Sequence, residues 1–296
     1  MLFEEALAKA TYLLYEIPDP QAMTMHMARI AETPISGAVD DIAGALRHFR
    51  NCLFLAATDV KLRYRRSILG PLWITLTTAI FIFFISYLYS GLMGTRFTDY
   101  LISLSLGWII WYFISDSVLQ GARTFQNGAG VIKNTNIDKF TLVLKTVLAN
   151  LIIFAHNLVI PFLVFVVVGF PFTLATWLVI PAFALIVLSA LWSATLFGLL
   201  CARYRDVYPL LQACMRVLFF LTPILWSPTL LPADSPRRLF VDLNPFAHYL
   251  AIWRKPLMGE YPDALAWYVT GGLTVLGLSL AFLAFARYRR EVVFWI

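Results

Sequence analysis

Little in these 296 residues is charged, and almost nothing in them is equipped for covalent chemistry. Charged residues make up 14% of the chain and apolar ones 60%, against about 25% and about 45–50% in a soluble domain. That imbalance excludes an ordinary soluble fold. The three cysteines, Cys52, Cys201 and Cys214, form no CxxC pair, and the four histidines are scattered at His26, His48, His156 and His248. No metal-ligand spacing results, and the cysteines read as small reduced apolar residues. The chain has no GxxxxGK[ST] loop to cradle a phosphate, no HExxH and no GxSxG. A secretory leader needs a basic start followed by an apolar run; here Glu4 and Glu5 come first and the first long apolar run starts near Leu72. No internal repeat of the kind found in many secondary transporters is visible. The adjacent acids Asp40 and Asp41 suit a helix N-terminus better than a metal.

What the chain does have is apolar length. The mean hydropathy is +0.76, and six runs approach the roughly 20 residues that cross a bilayer: 72–94, 100–119, 146–168, 176–200, 207–226 and 264–286. The net charge of +6 is no nucleic-acid signal, because the basic residues collect at the ends of these runs and suit anionic lipid headgroups. One side carries Lys61, Arg63, Arg65 and Arg66, then Arg123, Lys133, Lys139 and Lys145, then Arg203 and Arg205, then Arg287, Arg289 and Arg290. The positive-inside rule puts that side, and both termini, in the cytoplasm. The expected fold is therefore an all-α polytopic membrane protein with six transmembrane helices.

Three segments precede or interrupt the spans. Residues 1–40 read as a cytoplasmic tail, with a short amphipathic helix over Leu2–Tyr15. Residues 41–66 read as an amphipathic interface helix with a basic juxtamembrane segment, since Ile42, Leu46, Phe49, Leu53 and Ala57 recur at helical spacing. That stripe suits either the membrane surface or a packed protein face. Residues 67–290 form the transmembrane domain. Inside it, 227–263 holds Pro228, Pro232, Pro236, Pro245, Pro256 and Pro262 around an apolar piece, Pro245–Trp253, too short to span. A re-entrant helical hairpin before the last span is expected there, with a plain surface loop as the alternative.

Three short stretches stand out: KLRYRRSILGPLW at 61–73, RYRDV at 203–207 and LTPILW at 221–226. Together they resemble the permease subunit of type-2 ABC exporters, in particular the branch that exports O-antigen and related lipid-linked polysaccharides, with teichoic acid exporters next. The resemblance covers roughly residues 45–290, and the chain departs from it in a longer N-terminus. It implies a homodimer whose interface forms the channel and two copies of a cytoplasmic ABC ATPase. ATP and Mg would sit on that partner, and this chain would hold no cofactor. The surface helix and the glycine-flanked loop 128–139 would contact the ATPase. The latter would act as the coupling helix through Val131, Ile132, Lys133, Asn134, Asn136 and Asp138. The location implied is the bacterial inner membrane.

A glycan presents hydroxyls and apolar C–H faces, so its conduit should mix aromatics with small polar groups. Trp73, Trp108, Trp111, Tyr112, Ser115, Trp192, Phe219 and Phe220 are the candidates, set against the interfacial aromatic belt and helix-packing roles as alternatives. Charges within a bilayer usually face the protein interior. Asp116 and Arg216, as a candidate pair, are placed with Arg63, Arg65 and Arg66 at the cytoplasmic entrance. Three rival readings share these features: a permease for teichoic acid or a small amphiphilic drug, an ion-coupled carrier, and a membrane-embedded transferase using His156 with Asn157.

Overall fold

The computed structural model describes residues 33–296, apart from residues 64, 66, 68, 69, 71, 170, 171, 231, 233, 234 and 237. The expected helix over Leu2–Tyr15 and the candidate Arg66 therefore lie outside the described residues. Within them every regular element is helical. Two helices come first, α1 (Pro34–Arg47) and α2 (Phe49–Arg63). Then come α3 (Leu72–Met93), α4 (Phe97–Ala122), and two short turns, α5 (Thr124–Asn127) and α6 (Ala129–Asn134). α7 (Phe140–Asn157) continues into α8 (Val159–Val168), and a 3-10 turn leads into α9 (Val179–Arg203). α10 (Val207–Leu221), α11 (Arg238–Asp242), α12 (Pro245–Leu257), α13 (Ala264–Tyr288) and α14 (Val292–Trp295) complete the chain.

Five of these units are long and apolar enough to cross a membrane: Leu72–Met93, Phe97–Ala122, Phe140–Val168, Leu174–Arg203 and Ala264–Tyr288. The sixth expected span differs. α10 has 15 residues, short of the roughly 20 required. Its end is dictated by Pro223, which keeps the preceding residue out of the α region; Thr222 accordingly turns extended, with ψ 134°. The third span is longer than expected, because it begins at Phe140 rather than 146. Lys145 lies within its second turn and is neutralised by Asp59 of α2 at 2.7 Å. The α7–α8 break falls before Pro161, which has no N–H to give to the preceding turn.

The helix expected over 41–57 exists but is broken at His48 and starts earlier, at Pro34. Thr33 begins it by accepting the Ser36 N–H at 3.2 Å, with proline in the first turn. The middle of the apolar stripe faces away from the bundle, with Leu46, Phe49 and Leu53 exposed, whereas Ile42 packs on the core and Ala57 is half-buried. What α1 and α2 bury is a row of small side chains, Ala38, Ala45, Cys52 and Ala56. Small residues let helices approach closely, and α1 and α2 use them to lie against α7.

α4 and α9 form the centre, with Leu104, Leu106, Ile109 and Phe113 of α4 at most 1% exposed. The apolar piece Pro245–Trp253 is α12, and it packs among α4, α9 and α13. Asn244 caps it by accepting the Phe246 N–H at 3.0 Å and gives its own amide to Thr222 at 2.9 Å. Further along, the Tyr249 hydroxyl meets Ser189 at 2.7 Å and Thr274 at 3.1 Å. Trp253 donates its indole N–H to the Leu106 carbonyl at 3.2 Å. These side-chain bonds hold the polar atoms of a short helix that is otherwise surrounded by apolar neighbours.

Candidate functional site

One end of the bundle gathers α1, α6, α14, the start of α7 and the end of α13. Its keystone is Asp41, 5% exposed. The Phe140 N–H, at the start of α7, donates to Asp41 Oδ1 at 2.8 Å. Arg289, just past α13, sits 3.6 Å from Asp41 Oδ2. Asp41 does act at a helix N-terminus, as its position beside Asp40 suggested, but the helix is α7 and not its own. Burial pushes the Asp41 carboxyl above its usual range, and the backbone N–H groups of Phe140 and Lys139 pull it back. A polar cavity of about 260 Å³ opens beside it, lined by Asp40, Asn136, Asp138, Lys139 and Arg290 among others.

The candidate coupling segment adjoins this keystone. Val131, Lys133, Asn134 and Asn136 are exposed, whereas Ile132 is 8% exposed and anchors α6 to the bundle. Asp138 is half-buried, with its carboxylate against Gly44 of α1. Gly128 admits Leu142 where a side chain would not fit: a methyl there would stand 2.6 Å from Leu142 Cδ1. The loop 128–139 is thus tied both to α1 and to the start of α7.

The candidate aromatics separate into four groups. Trp108 and Trp111 of α4 both meet Phe219 of α10, with ring centroids 5.5 and 5.9 Å apart, and Phe220 lies beside Phe219 at 5.1 Å. Phe81 of α3 extends this wall, 4.1 Å from Trp108, and Phe246 of α12 closes it behind Trp111 at 5.5 Å. Neither Phe81 nor Phe246 was among the sequence candidates, and only their aromatic character was a signal. Tyr112 and Ser115 are partly buried on another side of α4, where Tyr112 packs near Ile74, Leu148 and their neighbours. Trp192 stands apart, its ring pressed onto Gly277 of α13. Trp73 is exposed at the start of α3.

Asp116 and Arg216 do not meet. Arg216 is exposed on α10, and among the described residues no ion pair joins it to Asp116. The positive charge that acts on Asp116 is Arg63, at the end of α2. Arg65 is exposed in the turn that follows. α10 as a whole is poorly covered: Leu210, Val217 and Phe220 are 62%, 59% and 68% exposed, and Met215 alone of its residues is buried. Trp73 and Phe84 of α3 are also exposed.

Apolar helices of spanning length, joined by short turns and gathered around α4 and α9, define a multi-pass membrane protein. The chain belongs to the ABC-2 type transporter family, which matches residues 50–258. It is similar to an O-antigen export system permease protein RfbA of Klebsiella pneumoniae, 26% identical over 229 residues that cover 75% of this chain and 87% of the relative. A protein of the same name from Myxococcus xanthus is 24% identical over 253 residues, covering 83% and 95%. The chain is accordingly a permease, a transport component and not an ATPase.

Proposed function

We propose that this chain is the membrane subunit of an ATP-driven exporter that moves a lipid-linked, O-antigen-like polysaccharide across the bacterial inner membrane. The observation that carries this reading is the similarity to O-antigen export permeases along most of both chains. Two copies pair to form the channel, as the resemblance to type-2 ABC exporter permeases implies, with α10 placed at their interface. In this reading the basic end of the bundle is cytoplasmic, with both termini there. α10 and the segment 222–226 make a short sixth crossing. α12 dips into the membrane without crossing it, and the stripe of Leu46, Phe49 and Leu53 on α1 and α2 rests at the cytoplasmic interface. The glycan passes along Trp108, Trp111, Phe219 and Phe220, whose rings meet in one wall. Asp116, Arg63, Arg65, Arg66 and Arg216 frame the cytoplasmic entrance.

Two cytoplasmic ABC ATPase subunits bind ATP and Mg²⁺ and press on α6. Val131, Lys133, Asn134 and Asn136 make the contact, and Ile132 and Asp138 carry the push into α7. Deleting the gene should remove long-chain glycan from the cell surface while lipid-linked glycan accumulates inside, read by gel electrophoresis of the two fractions. Surface glycan that persists would overturn the reading. A Val131→Asp, Lys133→Glu double variant should still insert and dimerise, yet lose co-purification of the ATPase and at least tenfold in export.

The entrance has its own test. Arg63→Asp or Asp116→Arg alone should reduce export several-fold, and the two together should restore most of it, because the swap preserves the attraction. Asp116→Arg combined with Arg216→Asp should give no such recovery, unless the two residues meet across the dimer.

A further inference from the structure

A second cavity, of about 760 Å³, lies at the opposite end of the bundle between α12, the start of α13, α4 and the turn after α10. That is within the range of small-molecule sites, about 300–1,000 Å³. The aromatic wall and the coupling end leave it unused. Its distinctive group is Arg254, on the last turn of α12. Trp253 sets the register there by bonding to Leu106, and the next side chain therefore runs along α4 at Gly107, where a methyl would stand 3.6 Å from Arg254 Nη1. The same nitrogen donates to the Pro223 carbonyl at 3.1 Å.

A guanidinium carries five N–H donors in a planar fork. One hydrogen bond of Arg254 is made within the protein, and among the described residues no carboxylate stands within ion-pair distance of it. Of the acids of the cavity, Glu260 acts on Arg254 through its charge from the rim, without an ion-pair contact. Asp263 is held by Lys255 at 2.7 Å, which draws its carboxyl below the ordinary range. Asp242 and Glu260 are exposed at the rim. Among the described residues no Phe, Tyr or Trp lines the cavity, and the one aromatic ring there, the imidazole of His248, is held at 2.8 Å by the Asp242 carbonyl. It offers the cationic fork of Arg254 inside and a rim of mixed charge, with Arg238 and His248 beside Asp242 and Glu260.

We infer that this cavity is a binding site for a single oxyanionic group, a phosphate or a carboxylate, held in bidentate fashion by Arg254. Two sources carry that chemistry: an acidic substituent on the exported chain, and the headgroup of a phospholipid at that face. The site itself stands on the geometry of Arg254; only the choice of the exported chain as its source rests on the export reading. The test uses the purified full-length chain in phosphatidylcholine nanodiscs. Inorganic phosphate and glucuronate are titrated by calorimetry, and phosphatidylglycerol enrichment is followed by native mass spectrometry. Saturable binding of the soluble probes points to the glycan source, and selective phosphatidylglycerol retention points to the lipid source. In either case Arg254→Gln should weaken binding at least tenfold, and Arg254→Lys should weaken it too, since an ammonium keeps the charge but loses the fork. Ala251→Phe, which fills the cavity without touching the charge, guards against misfolding of the arginine variants and should also abolish binding. No saturable binding of any probe, or binding indifferent to both Arg254→Gln and Ala251→Phe, overturns the inference. Loss of export from the gene deletion does not bear on it, so the two failures are distinguishable.

Discussion

Asp41→Ala should unfold the permease more readily than any other single removal of a side chain at the basic end of the bundle. The carboxylate serves two largely buried groups beside the polar cavity. One is the Phe140 N–H at 2.8 Å, an orphan donor of the first turn of α7. The other is Arg289, whose side chain is 11% exposed and 3.6 Å from Oδ2. Removing one partner of a buried pair leaves the other charge desolvated, which costs about 3–5 kcal/mol, whereas an exposed pair contributes about 0–1 kcal/mol. Arg287–Glu291, at 3.2 Å but with side chains 68% and 38% exposed, is the internal control, and Glu291→Ala should be nearly silent. Asp41→Asn separates the two roles: it keeps an acceptor for Phe140 and loses the charge, so its cost should fall between wild type and Asp41→Ala. In a double-mutant cycle with Arg289→Ala, the combined loss should be smaller than the sum by about 0.5–3 kcal/mol, measured by denaturant titration in detergent micelles. Strict additivity would mean that the two residues do not interact.

The consequence reaches beyond stability. α1 is the element through which the stripe-bearing α1–α2 pair is joined to the start of α7 and the end of α13, and Asp138 of the coupling segment rests on Gly44 of the same helix. Under the proposed coupling role, a displacement of α6 would be delivered to α7 directly and to α13 through Asp41 and Arg289. Packed interfaces of this kind shift between discrete arrangements and do not deform smoothly.

The helical class and five of the six expected spans were legible in the sequence, because an uncharged run of about 20 apolar residues has few other solutions. The departures fall where a local rule met a distant partner. The start of α7 was hidden by Lys145, a charge that ends a hydrophobic run until Asp59 is seen to neutralise it. α10 was read too long because Leu221–Trp226 is apolar, although Pro223 was in plain view. The stripe on α1 and α2 was read correctly as a periodicity, but periodicity does not say which face is buried; the alanines and Cys52 took the bundle side. Asp41 could be recognised as a capping residue but not as the cap of a helix 99 positions away. At the candidate conduit, Trp108, Trp111, Phe219 and Phe220 do come together, while Tyr112 and Trp192 share their chemistry and not their place. Arg63 rather than Arg216 acts on Asp116, and nothing in the spacing of three separate helices encodes that choice.

Gly121→Leu should abolish the folded permease, and the reason lies in how α4 and α9 cross. A methyl at Gly121 would stand 2.5 Å from both Cα and Cβ of Ala194, and one at Gly198 would stand 3.0 Å from the Gly121 carbonyl and 3.2 Å from the Phe125 ring. Three small residues thus let the two central helices touch at backbone distance, a contact that membranes reward with dispersion and close packing in place of a hydrophobic driving force. The obstacle is main chain, so no rotamer change relieves it. Overpacking usually costs about 1–3 kcal/mol, and a leucine here belongs at or beyond the upper end. Phe125, fully buried beside the crossing, would be displaced with it, so the loss should spread from α4 into α5. Gly121→Ala should be milder, and adding Ala194→Gly to it should recover part of the loss by removing the methyl it strikes. Gly130 of α6, where a methyl meets nothing within 4 Å, supplies the contrast: Gly130→Ala should leave stability within about 0.5 kcal/mol of wild type or slightly raise it. Detergent unfolding and monodisperse yield report both. A Gly121→Leu protein as stable as wild type would mean that α4 and α9 do not cross at Gly121, and the aromatic wall that α4 carries would then have to be placed anew.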